Sequence, residues 1–280
     1  MRLFLLTALT MLAFAANSVL NRMAVAPGHI GAVEFAVIRL VSGAAMLGLV
    51  LALRGRAWLG LAGRGPGVFG LLVYLFGFSF AYRGLDAGTG ALILFGAVQV
   101  TMFAGAVLAR EAVPARRWAG AGLALAGLAL MALPGASAPP LWPVLLMAGA
   151  GLGWGVYSLA GRRASDPLAA TAWSFILSVP LALLLALGAG LAMPSAQGIA
   201  LAVISGAVTS GLGYALWYAL VPQLGATRAA VAQLTVPILA ALGGALLIAE
   251  LPGWRFAAAS VLVLGGVALA SLNYRAFTRR

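Results

Sequence analysis

Residues 167–227 read PLAATAWSFILSVPLALLLALGAGLAMPSAQGIALAVISGAVTSGLGYALWYALVPQLGAT, 61 residues without one Asp, Glu, Arg or Lys. A soluble surface cannot be assembled from such a segment, since soluble domains carry roughly 25% charged residues. The rest of the chain is similar: of 280 residues, 64% are hydrophobic and 8% charged. Lipid is therefore part of its solvent, and any function lies within the bilayer.

Outward from that segment, apolar runs of about 20 residues between turn and charge signals predict ten helices. They fall near 3–24, 31–53, 66–83, 88–109, 115–133, 141–162, 168–189, 197–220, 227–248 and 254–274. The longest connection, from about Arg54 to Gly65, has no room for a folded extramembrane domain. Arg2 ahead of an apolar run and the triplet Ala13-Phe14-Ala15 imitate a secretory signal. The run continues through Asn17 and Asn21, however, and has a partner in the second half, so it is read as the first span.

The formal net charge is +12, and all 17 basic residues are arginine. They punctuate apolar runs rather than cover a polar face, which excludes nucleic acid as a partner. Without lysine there is neither a Schiff-base nor a phosphate-loop lysine. Without cysteine there are no disulfides and no thiol chemistry. The single histidine, His29, sits beside Pro27 and Gly28 in an expected turn, so a histidine-rich metal site is excluded and no cofactor is expected.

Arginine-rich loops resist translocation. With both termini cytoplasmic, the inner side collects Arg2, Arg54, Arg56, Arg64, Arg110, Arg116, Arg117, Arg162, Arg163, Arg228, Arg275, Arg279 and Arg280. The outer side keeps Arg22, Arg83 and Arg255, and Arg39 lies inside a helix. This bias accounts for the basic charge without an anionic partner.

The chain also repeats itself. AFAANSVLNRMA from Ala13 aligns with GWGVYSLAGRRA from Gly153, matching Phe14 to Trp154, Ser18 to Ser158 and Arg22 to Arg162. Gly70, Gly77, Phe78 and Tyr82 fall on Gly206, Gly213, Tyr214 and Tyr218. Glu111, Pro114, Arg117 and Trp118 fall on Glu250, Pro252, Arg255 and Phe256 after one gap. The expected organisation is one all-α transmembrane domain, 1–280, of two five-helix repeats, 1–134 and 135–280. Because five is odd, the second copy enters from the opposite side, and such inverted repeats belong mostly to transporters.

Polar and aromatic side chains within spans should face protein or water rather than lipid. Thr10, Phe14, Asn17 and Asn21 share one face of the first helix, and Tyr74, Phe78 and Tyr82 recur every four residues on the third. Phe95, Gln99 and Met102 on the fourth, Trp154, Tyr157 and Ser158 on the sixth, Tyr214, Trp217 and Tyr218 on the eighth and Gln233 on the ninth extend the pattern. These faces are read as the lining of a substrate cavity. For Tyr82 and Tyr218, near helix ends, an interfacial aromatic belt is the competing reading; for the central residues it is packing glued by buried amides.

Arg39, about three residues from the middle of the second helix, needs a partner in the membrane: either a substrate carboxylate or backbone carbonyls and Glu34. Glu34 itself lies a turn from the outer end. No Asp, Glu or His sits near the middle of another span, so gradient-driven exchange without proton coupling is expected unless Glu34 or Arg39 supplies it. An intramembrane enzyme is not expected, because His29 is in a loop and Asp86 and Asp166 fall at opposite faces. Small residues such as Gly151 and Gly155 are at the spacing that lets helices approach, and Pro180 and Pro237 should kink their helices.

In these features the chain resembles the drug/metabolite transporter superfamily, in its EamA-type ten-helix branch. The resemblance covers nearly the whole chain. It is carried by Arg39 with the small residues after it, the Trp154-Gly155 pair, the Tyr82-Arg83-Gly84-Leu85 end of the third helix, and the segment from Pro237 to Glu250 followed by Pro252. The first copy departs from the pattern in having Val98 where the second has Pro237. The resemblance implies a bacterial inner-membrane exporter of small metabolites, a monomer or weak homodimer, with the first four helices of each repeat around the cavity and the fifth and tenth outside. Its aromatic lining is most similar to that of aromatic amino-acid exporters, with Asn17, Asn21, Gln99 and Arg39 available for amino and carboxylate groups. The same walls would equally accept hydrophobic drugs or nucleosides.

Overall fold

Uncharged apolar runs leave the backbone no solvent to bond with, and the chain satisfies it internally as helices. The computed structural model describes residues 1–55, 64–135, 138–161, 164–189 and 193–271, and these contain helices and no strands. The helices are α1 (Arg2–Val25), α2 (Ala32–Leu53), α3 (Gly65–Ala81), α4 (Ala87–Leu108), α5 (Ala115–Ala132), α6 (Leu141–Gly161) and α7 (Pro167–Leu187). They continue with α8 (Ala196–Gly225), α9 (Arg228–Ile248) and α10 (Trp254–Ser271). All but α3 and α5 are long and apolar enough to cross a membrane; α3 is a shorter apolar helix. Leu53, Phe69, Leu184 and Leu246 are among many large apolar side chains on the outside, as lipid rather than water requires. This is a multi-pass membrane protein. Of the arginines expected on the inner side, Arg56, Arg162, Arg163, Arg275, Arg279 and Arg280 lie outside the described residues.

The glycine-rich run on α6 presents glycine to two neighbours at once. A Cβ on Gly153 would sit 2.6 Å from the Gly70 carbonyl oxygen of α3, and one on Gly70 the same distance from the Gly153 carbonyl. Gly77 and Gly84 continue the antiparallel seam against Ala150 and Pro143. Gly151 and Gly155 instead face α4, where an added Cβ would sit 2.5 Å from Ala97 and from Thr101 respectively. Such contact is the main attraction available to helices in lipid, where association gains nothing from the hydrophobic effect. Gly120 and Gly266 make a similar reciprocal crossing between α5 and α10, where α10 places Arg255 on the carbonyls of Leu130 and Leu133 at the end of α5.

Two departures from ideal helix shape the centre. Residues Ile204–Leu212 of α8 form a π-helix, the widened turn that recurs at functional sites. There a Cβ on Gly206 would overlap the Ser42 hydroxyl and the Arg39 carbonyl, so the glycine lets the α8 backbone come close against α2. In α9, Pro237 has no N–H for the Gln233 carbonyl, and the helix relaxes to a turn at Leu234. Gly225, with φ 73° and ψ 163°, divides α8 from α9 in a conformation favouring glycine.

The seam makes a paired prediction. Gly70→Ala forces α3 off α6 and should lower the thermal midpoint of the detergent-solubilised protein, by about 1–3 kcal/mol of stability. Gly149→Ala meets open space and should leave the midpoint unchanged or raise it.

Candidate functional site

Spacings of three and four on α1 and of four on α3 bring Phe14, Asn17, Tyr74 and Phe78 to one cavity, which Phe95 of α4, Trp154 of α6, Tyr214 of α8 and Gln233 of α9 complete. Helices from both halves of the chain thus supply its walls. Its rings touch in sequence: Phe78 lies 5.3 Å from Tyr74, Tyr74 4.8 Å from Trp154, Trp154 5.1 Å from Tyr214, and Tyr214 5.6 Å from Phe14. Tilted and edge-on pairs at such distances attract beyond simple burial. The cavity they leave is only ≈ 20 Å³, room for about one water molecule. A molecule larger than water would fit there only if these rings parted.

Behind the aromatic wall lies a buried charge. Arg39 has no exposed surface. Its Nη2 donates to the Tyr74 hydroxyl at 2.7 Å and its Nε to the Ser210 hydroxyl at 3.1 Å, while Nη1 has no hydrogen-bond partner among the described residues. The guanidinium carbon stands 5.2 Å from the Tyr74 ring centre and 4.9 Å from that of Phe78, so two π-faces share in solvating it. Ser210 passes the network on by donating to Asn17 Oδ1 at 3.3 Å. The same oxygen accepts from Ser205 at 2.8 Å and Thr209 at 2.6 Å. The π-helix thus turns three hydroxyls onto one amide, and the network links α1, α2, α3 and α8.

A second polar cluster closes one end of the bundle. Arg22 Nε donates to Glu250 Oε1 at 2.5 Å, its Nη1 donates to the carbonyls of Tyr82 and Arg83, and its Nη2 stands 3.7 Å from Asp86. Glu250 Oε2 accepts from the Ala87 N–H at 2.8 Å at the start of α4, where a carboxylate also meets the positive helix end. The cluster ties α1 and the α3–α4 turn to the end of α9. Ala249, just before Glu250, has φ 55°, and Arg110, just before Glu111, has φ 54°; they are the only non-glycine residues with positive φ among those described. Glu111, however, is exposed.

Of the residues expected to line a cavity, Asn17, Tyr74, Phe78, Phe95, Trp154, Tyr214 and Gln233 do. Arg39 lies one layer behind them. Tyr82 is fully buried with its hydroxyl on the Ala87 carbonyl, so it belongs to the core rather than to an interfacial belt. Asn21 is turned to Ser79, Tyr157 to Thr171, and Ser158 to its own helix at Trp154. Trp217 packs on Phe14, while Tyr218 and Gln99 are half-buried outside the lining. Phe14, on a face expected to line the cavity, also does so, and Ser18 and Leu94 join the lining without having been expected there. The hydroxyls of Ser205, Thr209 and Ser210 were also missed, although their spacing of four and five within an apolar run was a legible signal.

A narrow aromatic pocket thus lies within a bundle of long apolar helices, the architecture of a multi-pass membrane protein. Residues 141–272 match the EamA-like transporter family. A protein of Pseudomonas aeruginosa, described as uncharacterized, is 50% identical over 270 residues, 96% of this chain and 94% of its own. A solved crystal structure aligns over 100% of this chain and 99% of its own with a TM-score of 0.67 at 20% identity, a likeness of fold alone. Residues 141–272 thus form an EamA-like transporter family domain, a family whose members are membrane transporters of small molecules.

Removing Ser210 should expose the cost of the buried charge. Ser210→Ala leaves Arg39 Nε without an acceptor and should lower stability by about 1–3 kcal/mol. Ser260→Ala, which deletes a hydroxyl already lacking a partner, should be near neutral in the same thermal-unfolding measurement.

Proposed function

We propose that this protein exports amino acids, aromatic and other neutral ones, across the bacterial inner membrane by facilitative alternating access. The observation that carries the reading is the ring-lined cavity between both halves of the chain. Phe, Tyr and Trp side chains would stack on its walls, while Asn17 and Gln233 supply polar contacts. The Pseudomonas relative supports a bacterial inner membrane. None of the cavity-lining residues is acidic, which favours exchange down a gradient over proton coupling.

In this proposal ten helices span the bilayer as two inverted repeats, 1–134 and 135–280, with both termini cytoplasmic. The matched positive-φ residues before Glu111 and Glu250 support the repeat. Rocking of inverted halves about a central site opens it to either side in turn. Arg22 and Glu250 then hold the outer end shut, and Glu111, at the corresponding place in the first repeat, is exposed. A second reading, efflux of hydrophobic drugs or nucleosides, is favoured by the apolar character of most of the lining.

Uptake of labelled tryptophan, phenylalanine, threonine and a nucleoside into liposomes carrying the purified protein tests the reading. Saturable amino-acid uptake without an imposed proton gradient is expected. Nucleoside uptake alone would favour the second reading, and amino-acid uptake only with the gradient would replace facilitation by proton coupling. Trp154→Ala should reduce flux at least about tenfold, the effect of ~1.4 kcal/mol. Trp142→Ala, on the exposed surface, should not change it.

The outer closure is testable separately because the chain has no cysteine of its own. With a single cysteine at Ser18 on the cavity wall, labelling by an impermeant maleimide from outside should be slow. Glu250→Gln should accelerate it about tenfold, the effect of ~1.4 kcal/mol on an opening equilibrium; an unchanged rate would remove the closure from the mechanism.

A further inference from the structure

We infer that Arg39 is the anion anchor of the cavity, so that the transported molecule carries a carboxylate. The inference rests on the transport reading above and deepens it by naming the group that the site selects. Arg39 is fully buried and bears a full charge, yet the side chains that bond it, Tyr74, Ser210 and the neighbouring Tyr214, offer neutral hydroxyls, and among the described residues its Nη1 has no acceptor. Buried charges in proteins are ordinarily paired, and a guanidinium within a membrane span is costly enough that an unneutralised one marks a pathway or a ligand.

The position of Arg39 fits that role. Tyr74 and Phe78 line the cavity and also stand against the guanidinium; Asn17, also on the wall, reaches it through Ser210. A carboxylate entering among these three residues lies one side chain from Nη1. When the rings part to admit it, the Tyr74 hydroxyl leaves Nη2. The carboxylate takes Nη1 and Nη2 together, the two-pronged geometry in which arginine holds a carboxylate most strongly. Neutralisation occurs only with substrate in place, so the anion adds most to the loaded state. The empty protein keeps its charge solvated by Tyr74, Ser210 and two rings. A neutral nucleoside or a cationic drug leaves Arg39 unneutralised, and a cation meets no acid on the cavity wall.

The test compares phenylalanine with phenylalaninamide, which keeps the ring and amine and lacks the carboxylate. Both are measured in liposomes by competition against labelled phenylalanine, and by thermal stabilisation of the purified protein. The amide is expected to act at least about tenfold more weakly in both measurements, as loss of a charge-assisted hydrogen bond implies. Arg39→Gln should bring the two ligands to within about threefold of each other, whereas Arg39→Lys should keep part of the preference for the acid. If neither variant folds, the two ligands on the unmodified protein decide the matter. An amide as effective as the acid overturns the assignment of Arg39 and leaves transport intact. Absence of flux and of stabilisation with every solute removes the transport reading, and the anchor with it.

Discussion

A guanidinium with no exposed surface in an apolar bundle must be solvated by the protein, and among the described residues no carboxylate pairs with Arg39. Much of the local construction serves that end. The close approach at Gly206, against the Ser42 hydroxyl and the Arg39 carbonyl, brings α8 onto α2. The π-helix turns Ser205, Thr209 and Ser210 toward Asn17 and Arg39. Tyr74 and Phe78 recur at helical spacing so that one element supplies both a hydroxyl and a second π-face. Each device solvates the charge incompletely. The result is a centre held together by polar contacts in a molecule otherwise assembled from close-packed small residues.

Around that centre, the aromatic rings fill the space they enclose, and the Arg22–Glu250 contact draws α1, α4 and α9 together at one end. Closely packed interiors change between discrete arrangements rather than deform smoothly. A cavity with room for about one water can therefore serve a transporter only by giving way to a second arrangement. The glycine seams of α3 with α6 and of α5 with α10 have no side chain to interlock at Gly70–Gly153 or Gly120–Gly266, surfaces on which helices can remain in contact while they tilt.

The membrane class was legible in the sequence because burial in lipid demands an extreme composition, and the helices followed because the backbone has one inexpensive way to satisfy itself there. The aromatic faces were legible from helical spacing: Phe14 with Asn17, and Tyr74 with Phe78, do meet at one cavity. The same spacing overreached for Tyr82, Asn21 and Tyr157, because a polar face within a span also serves any neighbouring helix that offers an acceptor. Periodicity says which side of a helix is polar. It does not say how deep along that side the cavity lies.

By itself, the sequence determined that the chain lives in lipid, where its helices run, which residues are too polar to face acyl chains, and that Arg39 required partners. Only the tertiary structure decided which partners those are. Tyr74, Ser210 and Asn17 come from three other helices, and Ser210 reaches Arg39 across 171 residues of sequence through a glycine crossing and a π-helical turn. No local pattern encodes such a meeting, because it depends on how closely two backbones approach and on the rotation of one helix about its axis. Both are set by packing of the whole bundle.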